Sequence, residues 1–183
     1  MPNPENNFTI GIPQDKPHYR RAFILSFLIE SEIKKIRLQQ SRIKEDKKDS
    51  SHLNILFADI HFLLITFGNL RKLLKEIGKL FETDKTYKAI TDEFLPKLDS
   101  IGIVRHNLEH ILDGRLDGIG NKGKPLVEPN MFGNLIGDVY NFGGDKVNLK
   151  ETIALVDILE KKLISWNKQV QINPFWLNQS MTQ

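Results

Sequence analysis

The chain has 183 residues and a mass of 21.1 kDa, with 40% hydrophobic and 27% charged residues, a net charge of +3 and a pI near 9.0. That length supports one domain with a real core. The absence of cysteine excludes a disulfide framework, thiolate metal sites and thiol catalysis, and the mild basicity permits a nucleic-acid partner without demanding one.

Residues 1–16, with three Pro and three Asn, read as an arm before the fold. They lack the cationic and apolar regions of a leader. The longest apolar run, Phe62 to Phe67, is far short of the ~20 residues that span a bilayer. A cytoplasmic chain with no membrane partner is therefore expected.

The first predicted helix runs from Pro17 to about Glu45. Phe23, Phe27, Leu28, Ile29, Ile33 and Ile36 form its apolar side, and Lys34, Lys35, Arg37 and Arg42 its wet one. A polar turn over 44–51 follows. The second helix is the clearest. Leu56, Ile60, Leu63, Phe67, Leu70, Leu74, Ile77 and Phe81 alternate four- and three-residue gaps, the seam of a helical bundle. Leu53, Phe57, Leu64, Leu73 and Leu80 widen that stripe. Gly68 and Gly78 weaken the helix by about 1 kcal/mol each against Ala. The third helix starts near Asp84 and carries Tyr87, Ile90, Phe94, Leu98, Ile101, Leu108 and Ile111. Pro96 predicts a kink or break, and Asp113-Gly114 an end.

From Gly114 to Asn148 the helical period is lost, and eight of the twelve glycines fall here. Asn134 to Phe142, a Gly143-Gly144-Asp145 turn and Lys146 to Leu149 read as a β-hairpin. The fourth helix opens at Asn148, with Glu151 as capping-box partner. It carries Val156, Leu159, Leu163, Trp166 and Val170 on its seam and stops at Asn173-Pro174. Phe175, Trp176 and Leu177 lie in a tail. The expected fold is all-α, an antiparallel four-helix bundle over 17–172 with a β-hairpin or loop insertion (114–148) between helices 3 and 4, and a tail over 173–183.

Chemistry concentrates in one segment, Ile103-Val104-Arg105-His106-Asn107-Leu108-Glu109-His110-Ile111. Five of the six positions from Arg105 to His110 are polar. A helix needing only a wet face would use Lys and Glu, not two imidazoles that titrate near neutrality. The other histidines suggest less. His61 reads as a satisfied, partly buried side chain, and His18 and His52 lie at helix starts.

Arg105, a polar residue at 106 and His110 resemble the R-x(4–6)-H motif of the HEPN superfamily, which sits near the end of the third long helix of a small bundle. The strings VRHNLEHILDGRLDG and FGNLIGDVYNFGGDKVNL are similar to an uncharacterised bacterial HEPN-like group, and the likeness spans about residues 18–170. The resemblance implies a metal-independent endoribonuclease of toxin or defence type. It further implies a homodimer with its two motifs facing one another, an RNA substrate, a cognate antitoxin protein and no cofactor. Arg105 would then bind the scissile phosphate, and His110 would act as general base or acid for attack by the ribose 2′-OH. His106 would orient the phosphate or share the proton, with Asn107 and Glu109 in support, Glu109 pairing with Arg105. Such a reaction needs a proton acceptor near neutral pH and a cation at the phosphorane oxygens. Residues five apart on a straight helix differ by about 140° in azimuth. Arg105 and His110 therefore converge only at a distorted helix end or across a dimer.

Two other expectations attach to the same residues. His106-Asn107-Leu108-Glu109-His110 spells H-x-x-E-H, an inverted zincin signature in which His106 and His110 would hold zinc, with Glu151 or Glu160 as third ligand. Alternatively, Arg105, His106 and Glu109 are a solvated face and His110 caps the helix end, leaving a non-catalytic interaction module. The Gly118–Gly123 stretch lacks the residues of a phosphate-binding loop. The clusters Arg20-Arg21, Lys34-Lys35 and Arg71-Lys72-Lys75-Lys79 read as solvated faces that would suit an RNA backbone only where they flank the motif.

Overall fold

The computed structural model describes residues 17–109, 134–142 and 145–172. The arm, the tail, His110, the expected helix end at Asp113-Gly114, the 114–133 part of the insertion and the expected turn glycines Gly143-Gly144 lie outside these. The described chain is mostly helical: α1 (Pro17–Asp46), a 3-10 turn (Ser50–His52), α2 (Leu53–Leu80), α3 (Lys85–Glu109) and α4 (Leu149–Val170). Strands β1 (Asn134–Ile136), β2 (Val139–Phe142) and β3 (Asp145–Asn148) lie between α3 and α4.

The α2 seam is the centre of the core. Leu56, Ile60, Leu63, Phe67, Leu70, Leu74 and Ile77 are all buried, and removing each side chain from water contributes roughly 1.5–3 kcal/mol. Ile29, Ile33 and Ile36 of α1, Phe94 and Leu98 of α3, and Leu159 and Leu163 of α4 belong to the same core cluster, with α4 packed on α1 and α3. By length and hydropathy α2 could cross a membrane, but half of its apolar window is buried within the fold.

One carboxylate fastens α3 to α4. Asp84 Oδ1 accepts from Thr86 N (2.8 Å) and Tyr87 N (3.0 Å), capping α3, while Oδ2 accepts from Trp166 Nε1 at 2.9 Å. Burial pushes the Asp84 carboxyl up, but the bonds from Trp166, Tyr87 and Thr86 outweigh it and hold the group below its ordinary value. The Trp166 ring lies tilted against Tyr87, with centroids 4.5 Å apart, and meets Phe81 edge-on at 5.2 Å.

Three expectations need correction. Pro96 does not break α3, which runs through it; the residue is exposed, so its ring displaces no core side chain. The segment 134–142 is not one strand but a hairpin of its own. A two-residue Gly137-Asp138 turn, with Gly137 at φ +59, pairs β1 with β2, giving an antiparallel β1-β2-β3 sheet. Lys47 Nζ donates to Gly137 O and to Asp138 Oδ1, both at 2.7 Å, tying the turn to the end of α1. Finally, Phe27 and Leu28 do not face the core: they are 52% and 41% exposed, and Ala22 and Ser26 are buried instead. The cap of α4 is as expected, with Asn148 Oδ1 accepting from Glu151 N and its Nδ2 donating to Glu151 Oε1.

Candidate functional site

The two ends of the α2–α3 pair fix the direction of packing. Tyr87, early in α3, donates its hydroxyl to Leu74 O near the end of α2 at 2.9 Å. Arg71 pairs with Asp99 further along. Arg105, in the second-last turn of α3, lies against Gly68. The helices therefore run in opposite directions, and the C-terminal end of α3 lies toward the N-terminal half of α2.

Arg105 occupies an unexpected place for a cation. It follows Leu98 by seven residues and Ile101 by four, and both of those are buried, so it stands on the core-facing line of α3. It is half-buried. Its guanidinium fills the space that a side chain at 68 would take. A Cβ built on Gly68 would stand 3.1 Å from Arg105 Cζ and 3.4 Å from Cδ, and would overlap Nη1. Gly68, a weak point of α2 by helix propensity alone, is thus the seat of the arginine.

His106 is exposed. It shares a face with Asp99, seven residues before, and Gly102, four before. Since Asp99 pairs with Arg71, that face borders α2. A methyl group at Gly102 would meet nothing within 4 Å, so the edge is open there. Asn107 and Glu109 belong to the last turn of α3, but their side chains, like His110 altogether, lie outside the described residues.

One residue was undervalued by the sequence. His61 lies seven residues before Gly68, hence on the same edge of α2, about 10 Å along the axis. It is half-buried as expected, but not satisfied: its Nε2 is buried with no hydrogen-bond partner among the described residues. Its spacing from Gly68 was the available signal, and that signal has meaning only once Gly68 is known to seat Arg105. His18 and His52 remain peripheral. The first is exposed beside Tyr19, and the second lies 3.2 Å from Asp46.

The expected third zinc ligands are engaged elsewhere. Glu160 pairs with Arg37 of α1, and Glu151 with Asn148 in the α4 cap. Among the described residues no three His, Asp or Glu side chains are grouped to hold a metal ion. What the α2–α3 edge does offer is a guanidinium seated against Gly68, with the imidazoles of His61 and His106 on the bordering edges of the two helices. A fixed cation can stabilise charge on a phosphoryl oxygen, and an imidazole can move a proton near neutral pH.

Comparison with family models, with curated proteins and with solved structures gives no match.

Proposed function

We propose that the chain is a HEPN-like, metal-independent endoribonuclease built as an antiparallel four-helix bundle. The observation that carries this reading is the seating of Arg105. A cation on the core-facing line of a helix, accommodated by a glycine on the neighbouring helix, is a fixed positive group, whereas a solvating arginine needs no such seat. Its place near the end of the third long helix also agrees with the resemblance.

In this reading Arg105 binds the scissile phosphate and stabilises the charge that grows on it. His110 takes the proton of the ribose 2′-OH or delivers one to the leaving 5′-oxygen, and His106 holds the phosphate or shares that transfer. The oxygen of the 2′-OH bonds to phosphorus as the bond to the 5′-oxygen breaks, so the products carry a 2′,3′-cyclic phosphate and a free 5′-OH. No bound metal is required, because cation and base are both side chains. In a homodimer the second motif would face the first, and a toxin role would call for a cognate antitoxin protein.

A second reading, a non-catalytic interaction module, has its own support. Ile24, Phe27 and Leu28 form a short exposed apolar stripe on α1, opposite the side it buries. The stripe suits self-association in either reading. The test is cleavage of a labelled RNA mixture in EDTA, wild type beside His110→Ala. EDTA-resistant cleavage that leaves cyclic phosphate ends and disappears in the variant supports the ribonuclease. No cleavage by folded protein supports the module.

A further inference from the structure

The basic cluster of α2 does flank Arg105. His61, Gly68, Lys72, Lys75 and Lys79 fall within about 60° of azimuth on one helix edge. Gly68 meets Arg105, and Lys75 and Lys79 share a cavity with Tyr87, Lys88 and Thr91 of α3, so this edge borders α3. Beyond Gly68 the edge opens into a cavity of about 410 Å³ whose charged lining is Lys75, Lys79 and Glu82 and, across the groove, Lys88 of α3, three cations to one carboxylate. Lys79 is held by Glu76 and Lys88 by Asp92. Lys72 and Lys75 are in no ion pair among the described residues, which leaves their charges for a partner. Lys75 stands about 10 Å and Lys79 about 16 Å along the axis from Gly68, the span of a short stretch of nucleic-acid backbone.

The shape of the groove also selects its occupant. Its floor is closed by buried Tyr87 and crossed by Arg71–Asp99, and its lysines stand in a single line along α2, which matches one phosphate backbone rather than the two of a duplex. Of the two rings that line the cavity, Tyr87 is 1% exposed and Phe81 is half-buried, packed edge-on against Tyr19 and Trp166, so neither is laid open as a base-stacking platform. The contacts are therefore to phosphates, which position a strand without reading its sequence.

We propose that the α2–α3 groove is a track for single-stranded RNA, in which Lys72 and Lys75 hold the phosphates flanking the one at Arg105. The proposal rests on the ribonuclease reading for the role of Arg105, but its binding test does not. These two lysines are positioning residues, since they lie one to two turns from the reacting group.

The test uses the full chain and a fluorescein-labelled oligouridylate, alone or annealed to oligoadenylate. Binding is followed by anisotropy over a salt series for wild type, Lys72→Ala/Lys75→Ala and the remote α4 variant Lys161→Ala. Wild type and Lys161→Ala should bind the single strand more tightly than the duplex. The double variant should bind at least about 10-fold more weakly at low salt, and its log K against log salt slope should fall by about 1.4, or ~0.7 per lost phosphate contact. Under cleavage conditions its KM should rise while kcat holds. Equal affinity and slope in the double variant, equal binding of the duplex, or no RNA binding by wild type each overturns the track. If lysine-dependent binding appears without cleavage, the track stands and the ribonuclease reading falls. If cleavage proceeds with unchanged KM in the double variant, the ribonuclease stands and the track falls.

Discussion

Gly68→Ala separates a catalytic arginine from a structural one. The added methyl would lie 3.1 Å from Arg105 Cζ and would overlap Nη1, and the atoms in its way are the far end of a flexible side chain. Relief therefore comes from moving the guanidinium, by roughly 1 Å, and a misplacement of that size costs about 10²-fold in rate when the group positions a reacting phosphate. The backbone effect has the opposite sign. Replacing a mid-helix Gly by Ala stabilises α2 by about 1 kcal/mol, which raises Tm by about 2–4 °C in a chain of this size. The variant is thus expected to be as stable as wild type or more so, and roughly 10²-fold less active. Thermal unfolding by circular dichroism and RNA cleavage in EDTA measure the two quantities. Gly102→Ala is the control: it gains the same helix propensity, and its methyl meets nothing within 4 Å, so it should keep its activity. Full activity in Gly68→Ala would refute a positioned Arg105. A fall in Tm of several degrees would show that the arginine is seated for stability alone.

Further expectations follow from the same contacts. Asp84→Asn should lose about 1–2 kcal/mol near neutral pH, because the amide cannot both cap α3 and accept from Trp166 Nε1. The folded carboxyl titrates below its ordinary value, so its contribution is complete above the unfolded pKa of about 3.9 and fades as pH falls through the lower folded value. The stability gap between wild type and variant should therefore narrow on acidification, and urea melts that show a gap widening below pH 4 would contradict this. His61→Leu removes a buried Nε2 that has no partner and should hold or raise stability, by up to about 1 kcal/mol; a drop in Tm would show that the nitrogen is satisfied after all. Gly137→Ala places a Cβ at φ +59 and should cost about 1–2 kcal/mol, read as a Tm lower by roughly 2–8 °C, and an unchanged Tm would count against the turn.

The helices were legible because their seams repeat. Leu56 through Ile77 and Val156 through Trp166 recur at three- and four-residue gaps, and these positions are buried. Asn148 with Glu151 marked the start of α4 for the same kind of local reason. Phe27 and Leu28 misled because the first helix has apolar residues on two sides, and periodicity does not say which side is covered. Within Asn134–Phe142, strand propensity outweighed Gly137-Asp138, so a tight turn was read through as strand. At the candidate site, Arg105 and His106 stood out by residue type. The seat of Arg105 on Gly68 did not, because a close approach between residues of two helices leaves no mark in either local pattern. The alignment of Lys72, Lys75 and Lys79 with Gly68 could be computed from spacing, but its value depends on which edge of α2 meets α3.

The most direct test of the central claim is end-group analysis of RNA incubated in EDTA with wild type and with Arg105→Met, which keeps a long side chain against Gly68 but removes the charge. Wild type is predicted to leave 2′,3′-cyclic phosphate ends, and Arg105→Met, folded by circular dichroism, is predicted to lose at least about 10²-fold in rate. Cleavage by the variant at the wild-type rate, or no cleavage by a folded wild type, would contradict a ribonuclease centred on Arg105.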